Sequence, residues 1–319
     1  MKSLISAIAL TVIAFQPGVA MSNEFVTFGA SDSGGTYGVI AAAVSKVANV
    51  SDGDLNVSVE ATVGGGRGNV RLLSKERLTF GLATVADAVN GYRGTGAFED
   101  SKAENLRTVM LGPDLPFHLM VRADSDISSP ADLKGKRLVS ASAGNALTFV
   151  PGGLSGYGLD KDSYTITQLS GAEAVETFRD GRVDAYANFN FMPSANLSDL
   201  ATSIDIRILG FDPEKLAELI KSVEMFNEST IPAGTYPGQT DDINVPGIAV
   251  GIFTTDSVSD DVVYALTKAV MESNAEMKEM HSMAGTLTKE RQGRMLKAGR
   301  IIPPLHPGAL RYYKEIGLN

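Results

Sequence analysis

Four loops of small and polar residues in this 319-residue chain could hold a ligand without reacting with it. The first is Ser31-Asp32-Ser33-Gly34-Gly35-Thr36-Tyr37-Gly38, between a short strand expected at Phe25–Gly29 and a helix expected from about Val39. Glycines let the backbone turn sharply, and hydroxyls with free N–H groups at a helix start make a place for an anion. The second, Gly64-Gly65-Gly66-Arg67-Gly68-Asn69, lies between a strand and a helix and adds a guanidinium suited to bidentate pairing with a carboxylate. The third is Ser140-Ala141-Ser142-Ala143-Gly144-Asn145, which reads equally well as an anion loop or as a capped helix start. The fourth, Asn188-Phe189-Asn190-Phe191-Met192-Pro193, sets amides and aromatic rings at a strand's carboxyl end, where α/β proteins build ligand walls.

Reactive constellations are much poorer. His118, His281 and His306 are the only histidines, and their spacing matches no metal site. No nucleophile elbow, P-loop or complete dinucleotide fingerprint occurs. An enzyme would have to recruit Asp32 or Asp87 as its base, so the expectation is a binding protein with no catalytic residue, metal or cofactor. His118 lies in an apolar run and reads as a core or hinge residue.

Strand-like and helix-like runs alternate from about residue 24, which implies parallel-rich sheets covered by helices. Strands are expected at Val57–Ala61, Thr79–Ala83, His118–Val121, Arg137–Ala141, Tyr164–Gln168, Val183–Ala187, Ile206–Leu209 and Ile248–Phe253. Beyond about Ser259 only helices are expected, at Asp260–Ser273, Thr288–Ala298 and Pro307–Ile316. The length suggests two domains. One crossing between them is expected after His118–Arg122, and a second in the turn-rich stretch Ile231–Gly247.

The N-terminus reads as an export signal: Lys2, the apolar run Leu4–Phe15, then small residues ending at Ala20. That run is shorter than the roughly 20 residues a membrane span needs, so cleavage near Ala20 and no stable membrane insertion are expected. Formal charge is −9 and no basic run is present, which argues against nucleic acid as a partner. With no cysteine, the chain forms no disulfide and no thiolate.

Several segments together resemble the TAXI family of solute receptors that serve TRAP transporters, over essentially the whole chain after the signal. Ser33-Gly34-Gly35-Thr36-Tyr37 resembles its Gly-Gly-x-Tyr loop. Gly64–Leu73 resembles its glycine-rich segment with a following Asn, Asp87 and Gly94 match an Asp…Gly spacing, and Gly181-Arg182-Val183-Asp184-Ala185 matches a turn. Two stretches are more specific: Ile231-Pro232-Ala233-Gly234-Thr235-Tyr236-Pro237-Gly238-Gln239 and His306-Pro307-Gly308-Ala309-Leu310-Arg311-Tyr312-Tyr313. Departures fall in the presumed ligand loops, at Gly66-Arg67, Val85, Gly144-Asn145-Ala146 and Phe191.

The resemblance implies a periplasmic, two-lobe binding-protein fold of the type II or Venus-flytrap kind, with a helical C-terminal tail. Residues 22–122 plus 247–319 would form one lobe and 123–246 the other. Ser33, Gly35, Thr36, Tyr37, Gly66, Arg67, Asn69, Thr84, Asp87, Ser142, Asn145, Asn188, Phe189 and Asn190 would line the cleft, with Phe191 helping to exclude water. The expected solute is a small organic anion, a dicarboxylate or acidic amino acid, delivered by a monomeric receptor to a TRAP-type permease. A sensory receptor feeding a membrane signalling protein would use the same parts.

Overall fold

The computed structural model describes residues 24–31, 36–51, 55–141, 145–299, 301 and 303–318. The expected export signal, together with Ser33, Gly35 and Ser142, lies outside the described residues.

The described strands are β1 (Glu24–Ala30), β2 (Leu55–Ala61), β3 (Phe80–Thr84), β4 (Leu106–Arg122), β5 (Arg137–Ser140), β6 (Thr165–Gln168), β7 (Ala185–Phe189), β8 (Ile206–Ile208), β9 (Asn227–Ile231) and β10 (Ile243–Thr255). Between them run α1 (Thr36–Val50), α2 (Gly65–Ser74), α3 (Val85–Arg93), α4 (Val150–Leu154), α5 (Gly171–Arg179), α6 (Ala195–Ser203) and α7 (Pro213–Ser222). The tail is helical: α8 (Asp260–Glu272), α9 (Asn274–Met280), α10 (Lys289–Ala298) and α11 (Pro307–Glu315).

All ten strands belong to one curled sheet ordered β2-β1-β3-β10-β4-β7-β5-β6, with β8 also on β4 and β9 also on β10. It has two parallel nuclei: β1 with β2 and β3, and β5 with β6 and β7. Antiparallel β4 and β10 join them. β4 pairs with β10 from Leu106 to Pro116, then with β7 and β8 from Phe117 to Arg122. β10 pairs with β9 from Ile243 to Gly247, then with β4 and β3. Both strands therefore run from one half of the sheet into the other.

The strands expected at His118–Val121 and Ile248–Phe253 are thus parts of longer ones, the end of β4 and the middle of β10. Pro113, Pro116 and Pro246 cannot donate to a strand ladder, and Pro246-Gly247 ends the stretch expected to be turn-rich. Here Pro116 sits at the point where β4 changes partners and Pro113 at the irregularity opposite Ala249–Gly251, while Pro246 pairs with Glu228 of the edge strand β9. Their flanks are almost wholly buried, and burial overrides the local preference.

The two most specific sequence segments brace this frame. Gln239 donates to the carbonyls of Ile231 (3.0 Å), Pro232 (2.9 Å) and Asp241 (2.9 Å), closing the turn between β9 and β10. His306 caps α11: its Nδ1 accepts from Gly308 N–H at 3.1 Å, so Nε2 carries the proton and donates to Val258 O at 3.1 Å. Gly308 lets α11 approach α8, because a Cβ there would lie 2.3 Å from Asp260 O. Gly308→Ala should lower the unfolding free energy by about 2 kcal/mol through overpacking, measured by urea titration. A loss under about 0.5 kcal/mol would mean that the helices separate freely.

Candidate ligand-binding site

Asp87 is the charged centre of the best-defined polar cluster. It lies in the first turn of α3 with its side chain 9% exposed. Thr84 at the N-cap donates its hydroxyl to Asp87 Oδ2 at 2.9 Å and accepts from Asp87 N–H at 3.0 Å. Arg67, in the first turn of α2, donates Nε–H to Asp87 Oδ1 at 2.9 Å. Its side chain is 26% exposed, and among the described residues its terminal nitrogens have no hydrogen-bond partner. The carboxylate thus holds the guanidinium by one edge and leaves the forked end available for a bidentate contact.

Tyr37, in the first turn of α1 next to Thr36, completes this side. Desolvation, and then the negative charge of Asp87, push its hydroxyl well above the ordinary tyrosine range, so it stays a neutral donor. Its ring meets Phe191 edge-on, with centroids 6.1 Å apart. Phe191 follows β7 in the other half of the sheet, so this contact bridges the halves. A second bridge is the exposed ion pair between Arg93 of α3 and Glu224 at 2.6 Å.

The geometry around α2 explains its glycine run. Gly66 packs its backbone against Ala83 and Thr84, while a Cβ on Gly68 would fall 2.0 Å from Val63 O. Asn69 has no exposed surface. Its Nδ2 donates to Gly29 O (3.1 Å) and Leu82 O (2.7 Å), and its Oδ1 accepts from Thr62 Oγ1 (2.5 Å). The amide is spent on tying α2 to β1 and β3.

The fourth loop divides in the same way. Asn188 is buried, and its Oδ1 accepts from Ser140 Oγ (2.9 Å) and Ala141 N–H (3.2 Å), which joins β7 to the end of β5. Its Nδ2 donates to Asn190 Oδ1, and Asn190 donates onward to Tyr186 Oη at 2.9 Å. Phe189 is 3% exposed and stacks between Phe117 (4.6 Å) and Phe226 (5.4 Å). Its ring is core, whereas Asn190 and Phe191 are half-buried. Asn145 opens a π-helical turn that leads into α4.

Tyr236, within the Ile231–Gln239 segment, has a definite structural task. Ser194 N–H donates to Tyr236 Oη at 3.1 Å, and Tyr236 lies 2.8 Å from His118 Nε2. His118 Nδ1 is 2.9 Å from Pro116 O, which fixes the proton on Nδ1 and makes Nε2 the acceptor of the tyrosine proton. This chain of bonds sits where β4 changes partners. Among the described residues no group of three or more His, Cys, Asp or Glu could hold a metal ion, and no helix is long and apolar enough to cross a membrane.

Two parallel nuclei joined by through-going strands make an α/β fold of the kind seen in two-lobe periplasmic binding proteins. The chain belongs to the NMT1-like family, whose model matches residues 28–317. Its fold is similar to that of the periplasmic sulfonate-binding protein SsuA from Methylobacillus flagellatus KT (TM-score 0.56, 12% identity, covering 93% of this chain and 96% of that one). It is also similar to the periplasmic aliphatic sulphonate binding protein SsuA from Escherichia coli (TM-score 0.52, 15% identity, 93% and 94% covered).

Proposed function

We propose that this protein is an exported solute receptor whose lobes close on a small acidic solute of the amino-acid type and present it to a TRAP-type permease, as the resemblance to TAXI receptors implies. The observation that carries the reading is the Arg67–Asp87–Thr84 cluster beside Tyr37, whose ring already reaches Phe191 of the other lobe. The forked end of Arg67 would take a carboxylate. Asp87, next to it, would favour a ligand that also carries an ammonium group and disfavour a plain dianion. This places glutamate or aspartate ahead of succinate. Contacts from both lobes would stabilise the closed form, since only differential affinity shifts such a population.

The hinge is proposed at Pro116–Phe117 of β4 and Gly247 of β10, where strand partners change. Asn69, Asn188 and Phe189 would then support the site from behind, and Tyr37, Arg67, Asp87, Asn190 and Phe191 would face the solute.

Calorimetric titration of the mature protein with glutamate, aspartate, succinate and a neutral sugar tests the assignment. The amino acids should bind most tightly, and Arg67→Ala should raise their dissociation constants at least tenfold, as expected for a charge-assisted contact of about 1.5–3 kcal/mol. Binding of the sugar alone, or an unchanged constant in the variant, would remove Arg67 and the acidic solute from the reading.

A further inference from the structure

A cavity of about 640 Å³ lies between the two halves of the sheet, away from the Arg67–Asp87 cluster. One wall comes from Val85, Leu111, Ala249 and Met295, and the facing wall from Ile220 and Phe226. Val85 and Asp87 are two residues apart on α3, so their side chains leave the helix about 200° apart. The cavity and the polar cluster therefore occupy opposite sides of that helix. The size suits a small-molecule site, which is typically about 300–1,000 Å³ and mostly apolar with a few polar groups.

The charges around the cavity indicate what would enter. Asp114 is held by both terminal nitrogens of Arg291, and Glu224 by Arg93. Lys221, Arg294 and Glu228 complete the charged lining, whose three cations and three anions balance. Arg294 is exposed at the rim and takes part in no ion pair among the described residues. Met225 and Met295 contribute flexible thioethers that adapt to ligand shape.

We propose that this cavity is a second ligand site, taking an amphipathic monocarboxylate of the medium-chain fatty-acid class, with the alkyl chain between Ile220, Phe226 and Met295 and the carboxylate at Arg294. Its occupancy does not depend on the identity of the solute at Arg67.

Octanoate is the probe, titrated calorimetrically into the full-length mature protein. Ala217→Trp, on the exposed face of α7 and in the cavity lining, should obstruct the chain. Arg294→Glu should repel the carboxylate. Each should raise the octanoate dissociation constant at least tenfold, and Arg67→Ala should leave it within twofold. Three outcomes overturn the proposal: no octanoate binding up to millimolar concentration, binding unaffected by both cavity variants, or binding lost with Arg67→Ala. The amino-acid titration of the same variants fails or succeeds separately, so failure of the first site is distinguishable from failure of the second.

Discussion

Asn69→Ala is expected to lower the unfolding free energy by about 3 kcal/mol, although the residue lies in the glycine-rich first half of α2, whose sequence invites a ligand-binding role. The side chain is fully buried and makes three bonds to separate parts of the first sheet half, at Gly29 O, Leu82 O and Thr62 Oγ1. Alanine leaves two buried carbonyls without their amide donor, and each such orphan costs about 1–3 kcal/mol. Asn69→Asp preserves the shape but replaces the donor with a carboxylate facing two carbonyl oxygens, so it should be at least as damaging. Urea titration of both variants is the check. A loss below about 1 kcal/mol in each would show that the amide is not the bolt between α2, β1 and β3.

The second large effect is on acid stability. Burial lowers the His118 pKa from 6.5 to about 4, opposed only partly by its bond to the Pro116 carbonyl. The folded state therefore binds fewer protons than the unfolded state between these values, and stability falls as pH drops through that window. A shift of this size corresponds to about 3 kcal/mol, fully present above about pH 6.5 and lost towards pH 4. Protonating Nε2 would also remove the acceptor of the Tyr236 hydroxyl proton and disturb the link to Ser194. His306, also lowered by burial, acts in the same direction. Carboxylates held low by their partners, such as Asp184 beside Arg137, lose their contribution only at lower pH. His118→Gln should therefore flatten the stability curve between pH 6.5 and 4. An equally steep curve in the variant would assign the acid sensitivity elsewhere.

The alternation of strands and helices and the all-helical tail were legible because local periodicity and tertiary structure agree along most of the chain. The through-going strands were not, since Pro113, Pro116 and Gly247 carry loop preferences that only the partner change in β4 and β10 explains. β9 was missed for a related reason. Its sequence Asn-Glu-Ser-Thr-Ile has no apolar alternation to mark it, and it is a strand because β10 supplies its partner. The candidate site was legible as far as residue type. Asn69, Asp87 and Asn188 have equally suggestive chemistry in sequence, and only their bonding separates the buried supports from the groups that could meet a solute. The second cavity left no local signal, because Val85, Phe226 and Met295 come from distant segments and look like ordinary core residues one at a time.

The position of β10 also bears on how the molecule is made. It lies between β3 and β4 in the sheet, yet is the last strand in the sequence. As the polypeptide emerges from its N-terminus, β3 and the first part of β4 must wait for more than a hundred further residues before their common neighbour arrives. During that interval the first half of the sheet has open strand edges of the kind that pair with other chains. The parallel nuclei of both halves, β1-β2-β3 and β5-β6-β7, are complete before β10 is synthesised, so the strand that joins them is the last to arrive.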